Sequence, residues 1–363
     1  MSQRIFITTL SSPEAINALN LSFAACNFSR NLMSGGMFDK IYSILPPFVR
    51  GTLNQNIIPM DAEMMYSKFR KKSNIIYKIL SLWDENIQIY RKIPNNASVW
   101  YYNLCMLNVI LFLGIKLFKP TVKQNVIVLD FSPNSKHFSL LNLYKWLFNN
   151  ANSTILLTRY FEFTNKNSAC LPGVVPQNVE DYPEVVQVSN EFLISGALSE
   201  NISLLRTLLI PAFKQMPNFI LHITGDVCDK KNLSEDIKQY KNIIYHGKLT
   251  FEQYLDLLHS VTFVFSTRNP EAVENQCNFP SKIIESLLHN RAVISTIDYP
   301  QLDDLKYFKV SFHINEFICS INKIFSEGEN YIMQYVNQAK QTRKKFSPQV
   351  WKDTMIKLES NGK

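Results

Sequence analysis

Glycine is scarce in this chain, 10 residues in 363, while Phe (25) and Tyr (16) are plentiful. The bias, shared by Ile and Asn, fits an AT-rich coding sequence better than a function. Cysteine offers little: Cys26, Cys105, Cys170, Cys228, Cys277 and Cys319 lie far apart and make no CxxC pair. With no signal peptide at the N-terminus, they read as reduced cytosolic thiols rather than a disulfide scaffold. Histidine is equally sparse and dispersed, which argues against a zinc site. No internal repeat, low-complexity tract or DxD metal motif occurs. Basic residues cluster only in threes, as in Arg70-Lys71-Lys72 and Arg343-Lys344-Lys345. No nucleic-acid motif accompanies them, so nucleic acid is not an expected partner.

What is present is an ordinary globular composition. Apolar residues make up 46% and charged residues 19% of the chain, which excludes disorder. The length suits two domains, each with its own core. A net charge of +8 suits an anionic ligand or an acidic membrane surface. One run, Val99 to Phe118, has the length of a membrane span. Asn103, Asn108 and Lys116 make it a poor one. It reads as a buried or surface-lying helix feeding a strand at 125–130.

Strand and helix patterns alternate along the chain, which implies parallel α/β sheets. Strands are expected at 4–10, 40–45, 125–130 and 153–158, with helices at 13–33 and 136–149. Residues 50–98 lean helical without a clear pattern. Prolines and few regular signals at 164–190 mark a boundary. A second series follows: strands at 192–195, 219–224, 243–246, 261–265 and 292–296. Helices are expected between them at 202–214, 232–240 and 250–259, the last with Thr250 and Gln253 spaced as a capping box. A basic helix is expected over 329–345, and a final one around Trp351.

The most informative run is Asn278-Phe-Pro-Ser-Lys-Ile-Ile-Glu-Ser-Leu-Leu-His289. It follows a strand and a polar loop and opens a helix. The first amides of a helix lack partners and sit at the positive end of its dipole, so they suit an anion. Lys282 and Glu285 are three apart and share a face. Asn278, Phe279, Ser281, Lys282 and Glu285 are therefore candidates to hold a phosphate at the amides and a ribose at the carboxylate. A plain solvated polar stripe, Lys282, Glu285 and His289, is the competing reading.

The order of signals over 192–296 resembles the C-terminal domain of the retaining group 1 family of GT-B glycosyltransferases. Four stretches carry the likeness: Ser195-Gly196-Ala197-Leu198, His222-Ile223-Thr224-Gly225, Tyr245-His246-Gly247-Lys248-Leu249, and Cys277 through Glu285 at the family's Glu-x7-Glu donor motif. Phe346-Ser347-Pro348-Gln349-Val350-Trp351 resembles the family's closing helix. The resemblance implies two Rossmann-like α/β domains facing a cleft: an acceptor-side domain at 1–178, a nucleotide-sugar domain at 179–335, and a helix at 336–363 returning to the first. It implies donor contacts from Gly196, Gly225 and Lys248. Arg268 joins Lys282 as a candidate cation for the donor phosphates.

Three departures stand out. Cys277 replaces the Glu that contacts the sugar in the family, leaving Asn278 as the adjacent polar group. Ala197, Ser199, Glu200 and Asn201 replace the loop that carries an Arg-Lys pair for the diphosphate. Leu10-Ser11-Ser12-Pro13 lacks a glycine-rich loop. In the first domain Asp130 ends a strand and His137 opens a helix. Both are candidate bases for the acceptor proton, and equally a capping Asp and a surface His.

The activity implied is transfer of a sugar, with retention, from a UDP- or GDP-linked donor to a saccharide or lipid-linked saccharide. The setting implied is surface polysaccharide assembly. No cofactor or metal is expected. The expected location is cytoplasmic, with peripheral contact to anionic membrane. A sugar-nucleotide epimerase of the same fold and a non-catalytic partner subunit are the alternatives.

Overall fold

A computed structural model describes residues 2–10, 23–46, 62–72, 74–128, 138–158, 165–178, 180–227 and 230–361. The chain divides into two units, Met1–Asn178 with Phe346–Lys363, and Val179–Lys345.

In the first unit the described elements run β1 (Arg4–Thr8), α1 (Phe23–Ser34), β2 (Lys40–Ser43), β3 (Glu63–Met64), α2 (Ile75–Lys92) and β4 (Ser98–Tyr102). They continue with α3 (Val109–Phe118), β5 (Lys123–Val128), α4 (Phe138–Asn149), β6 (Ser153–Leu156) and β7 (Ser168–Cys170). The strands form one sheet in the order β3-β2-β1-β4-β5-β6-β7, with every pair parallel. Parallel strands are covered on both faces, so they read as continuous apolar runs.

That rule corrects the expected helix at 99–118. Its first part is strand β4, a central strand between β1 and β5, with Val99, Trp100 and Tyr101 fully buried. Aromatic and β-branched residues suit a strand buried on both faces, and periodicity alone does not separate such a run from a buried helix. Asn103, with φ 60°, turns the chain out of the strand. Asn108 then precedes the ten-residue α3. Among the described residues no helix is long and apolar enough to cross a membrane. The run that has the length of a span is thus divided between a strand and a short helix.

The second unit runs β8 (Glu191–Leu198), α5 (Glu200–Ser203), α6 (Ile210–Lys214), β9 (Ile220–Val227), α7 (Lys230–Ile237), β10 (Ile243–Tyr245), α8 (Phe251–Ser260) and β11 (Phe263–Ser266). Next come α9 (Val273–Cys277), α10 (Ser281–Leu288), β12 (Ala292–Ser295), β13 (Phe308–Lys309), α11 (Ile314–Ser326), α12 (Glu329–Ile332) and α13 (Ala339–Lys345). Its sheet, also parallel throughout, has the order β10-β9-β8-β11-β12-β13. Phe192, Phe213, Phe263 and Phe265 stack or meet edge-on in one core. The capping box on α8 forms as its spacing implies: Thr250 Oγ1 accepts from Gln253 N–H, and Gln253 Oε1 accepts from Thr250 N–H.

Two expected helices are broken. The 202–214 helix is interrupted at Leu204, which is left-handed at φ 50°. The basic 329–345 helix stops before Asn337, φ 58°, whose side chain bonds the backbone of Val185 in both directions. Asparagine tolerates that conformation because its short amide finds a local partner. The final helix, α14 (Pro348–Asn361), belongs to the first unit. Residues 336–345 stay with the second, so the return begins at Phe346 and not at 336. Trp351, fully buried, meets Phe28 edge-on and donates its indole N–H to the Gly173 carbonyl at 2.8 Å. Glu359 accepts from Arg4, from Ser98 Oγ and from Trp100 Nε1, which pins the helix to the sheet.

Candidate functional site

In an open parallel sheet, ligands collect at the carboxyl ends of strands where the order reverses. In the second unit that point lies between β8, followed in sequence by β9 on one side, and β11 on the other. The candidate residues around it fall into two groups.

The first group is a rim of glycines. Gly196 and Gly225 are partners across β8 and β9, with φ 118° and 125°. A Cβ on Gly225 would lie 2.0 Å from the Gly196 carbonyl oxygen, so this position admits only glycine. A Cβ on Gly196 would meet nothing within 4 Å, so its outer side is open. Gly225 N–H donates to the Gly247 carbonyl at 2.9 Å, and Thr224 Oγ1 donates to the same oxygen at 2.8 Å. Lys248, exposed, follows directly.

The second group is the start of α10. Pro280 is its N-cap, and no side chain caps the first turn. Phe279 is buried below, edge-on to Tyr299. Ser281 is exposed, and Asn278 is half-buried. Arg268 is fixed through its backbone, which both donates to and accepts from Thr296 Oγ1. Burial raises the Tyr299 pKa, and the Arg268 charge opposes that rise. Cys277 is buried at the end of α9.

Lys282 and Glu285 do not point separately into solvent. They pair with each other at 2.6 Å. The Lys282 ammonium also donates to the Tyr254 hydroxyl at 3.1 Å and lies 4.5 Å from the centre of that ring. Burial pulls the lysine pKa down, but Glu285 and Tyr254 outweigh it and hold the group above its ordinary value. It is a fixed cation at any working pH. Tyr254 comes from α8, and burial and Glu285 raise its own pKa. The Ser195 hydroxyl of β8 is buried beside it without completing a hydrogen bond. No spacing in the sequence announces Tyr254; only the packing of α8 brings it to α10.

The loop after β8 does something its composition did not show. The Glu200 carboxylate accepts from Arg206 N–H at 3.0 Å, Thr207 N–H at 2.9 Å and the Thr207 hydroxyl. An internal anion thus occupies amides that an external phosphate would otherwise use. The basic pair of the resembled family is replaced by a residue of opposite charge with its own structural task.

His289 is also not on a solvated stripe. It is 5% exposed, its Nδ1 is 2.9 Å from His259 Nε2, and Tyr182 stacks on it at 3.6 Å between ring centres. Arg291 donates to the carbonyls of His289, His259, Val261 and Pro183. Burial, then His259, Arg291 and Lys282, lower the His289 pKa to about 3. This cluster fastens residues 182–183 to the sheet. Asp130 and His137 lie outside the described residues. Among the described residues no group of three or more His, Cys, Asp or Glu side chains is placed to hold a metal.

No family model matches the chain, and no curated protein matches it in sequence. Solved structures do match in shape. Sucrose-phosphate synthase from Thermosynechococcus elongatus superposes with a TM-score of 0.68 at 10% identity, over 99% of this chain and 98% of that one. The lipopolysaccharide outer core galactosyltransferase WaaB gives 0.63 at 14% identity, over 99% of each chain. A mutant of S. aureus TarM, in complex with fondaparinux, alpha-GlcNAc-glycerol and UDP, gives 0.51 at 15% identity. This chain spans only 57% of that protein's length. At such identities the likeness is one of fold: two parallel α/β units with a closing helix, the GT-B architecture of glycosyltransferases.

Proposed function

We propose that the chain is a glycosyltransferase whose second unit binds a nucleoside diphosphate sugar, UDP- or GDP-linked. The observation that carries this is the Lys282–Glu285 pair on an uncapped helix start at the carboxyl edge of a GT-B sheet. An arriving diphosphate competes with Glu285 for the Lys282 ammonium. Lysine and the first amides of α10 then hold the phosphates, and the released carboxylate accepts from the ribose hydroxyls. The same cation and amides stabilise charge as the diphosphate leaves, which is electrostatic catalysis. That role needs no metal or cofactor. Gly196, open on its outer side, lets the donor approach, with Lys248 and Arg268 as flanking cations. Transfer with retention to a saccharide or lipid-linked saccharide, in surface polysaccharide assembly, completes the proposal.

Isothermal titration with UDP and GDP tests it. Binding of one of them, weakened at least tenfold by Glu285→Ala, is expected. Absence of binding by the folded protein refutes it. Glu200 on the helix amides and Cys277 at the sugar-contact position favour a second reading, a non-catalytic partner subunit. Nucleotide binding without hydrolysis or transfer, in the presence of acceptor extracts, would select that reading.

A further inference from the structure

Helix α2 leaves an apolar arc facing outward. Its inward face is mixed: Ser81, Glu85, Asn86 and Ile89 are buried, and Leu82 and Tyr90 pack against the core. Its outward residues are apolar. Ile75 is 66% exposed, Ile76 59%, Ile79 56%, Leu80 40% and Trp83 52%. At helical spacing these five fall within one arc. Together they expose on the order of 500 Å² of side chain, the scale at which a patch marks an interaction site.

Polar bonds on the buried face join the apolar contacts of Leu82, Ile89 and Tyr90 in holding the helix. Glu85 pairs with the buried Arg70, which also donates to the carbonyls of Leu45 and Pro46. Asn86 donates to the Leu107 carbonyl and accepts from Leu111 N–H.

The charge beside the arc is of one sign. The turn leading into α2, Lys68–Lys71, and the next residue present Lys68, Lys71 and Lys72, all exposed. Lys72 lies over the Tyr77 ring at 4.4 Å. The acids nearby are engaged elsewhere: Glu85 is buried with Arg70, Glu63 pairs with Lys92, and Asp84 accepts from Gln88 on the flank. An apolar helical face carrying a tryptophan, next to lysines, fits the boundary of an anionic bilayer. A second copy on the same face would bring two lysine clusters to one interface, which like-charge repulsion opposes.

We propose that the Ile75–Trp83 face of α2, with Lys68, Lys71 and Lys72, is a docking surface for an anionic lipid bilayer. It is independent of the sugar-transfer reading, because vesicle binding needs neither donor nor acceptor. The test is sedimentation of the full chain with phosphatidylcholine vesicles, with and without about a third phosphatidylglycerol. Binding is expected only with the anionic lipid, and salt at about 0.5 M should release it. Each Lys→Gln change at 68, 71 or 72 should lower the partition about fivefold. Ile76→Ser/Ile79→Ser/Trp83→Ser should lower it more than tenfold, with an unchanged circular dichroism spectrum. If that triple variant fails to fold, the lysine variants carry the test alone. No binding to anionic vesicles at low salt overturns the proposal, as does binding that these variants leave intact. A dimer that the triple variant splits, with no lipid binding, overturns it in favour of a second copy.

Discussion

Lowering the pH should unfasten the second unit, and His289 is the reason. In the folded chain its pKa is about 3, against 6.5 for an unperturbed histidine. Burial, the His259 ring, the Arg291 guanidinium and the Lys282 ammonium all oppose a proton there. The unfolded chain has no such opposition. Between those two pKa values the unfolded state binds a proton that the folded state refuses, so stability falls as pH falls. Above pH 6.5 the contribution is complete; at pH 5 about 2 kcal/mol of it is gone, at about 1.4 kcal/mol per unit. His259, also lowered by burial and Arg291, acts in the same direction. All four tryptophans, Trp83, Trp100, Trp146 and Trp351, belong to the first unit. Urea unfolding followed by tryptophan fluorescence therefore reads that unit, and circular dichroism reads both. The transition seen only by dichroism should move to lower urea between pH 7.5 and 5. His289→Asn, which keeps an acceptor near His259, should remove about 2 kcal/mol of that pH dependence. A variant with the same pH dependence as the parent would refute the reasoning.

Other outcomes follow from single contacts. Gly225→Ala places a Cβ against the Gly196 carbonyl at positive φ and should destabilise the second unit by about 3 kcal/mol or more, read from the same dichroism transition. Tyr254→Phe keeps the ring under Lys282 but removes its hydroxyl acceptor; nucleotide affinity by titration should change by a factor of about five or less. A complete loss of binding would mean that Tyr254 does more than position the lysine. Glu359→Ala leaves Arg4 Nε and Nη2 and the Trp100 indole N–H without their acceptor, and should lower the stability read from the fluorescence transition by about 2–4 kcal/mol.

Much of the fold was legible because its signals are local. Apolar runs bounded by turn residues located β1, β2, β5, β6 and β8 to β12, while the two-residue β13 was not seen. The capping box at Thr250 and Gln253 is a contact between residues three apart, and it forms as read. The breaks were less legible. Leu204 gives no warning of a left-handed turn, and Asn337 adopts its conformation because Val185, far away in sequence, bonds to its amide. β7, an edge strand of three partly exposed residues, lacks enough pattern to be seen at all.

The sequence by itself determined two parallel α/β series, a closing helix around Trp351, and a helix start at Ser281 bearing Lys282 and Glu285 on one face. Those follow from periodicity and turn chemistry within a few residues. Only the tertiary structure decided that Val99–Tyr101 is a central strand, since burial on both faces depends on neighbouring strands. Only it decided that Lys282 rests between Glu285 and Tyr254, and that Glu200 takes the Arg206 and Thr207 amides. It alone turned Ser81, Glu85 and Asn86 of α2 inward and left Ile75, Ile79 and Trp83 facing out. Each of these depends on residues distant in the chain, and a one-dimensional pattern cannot state which distant groups meet.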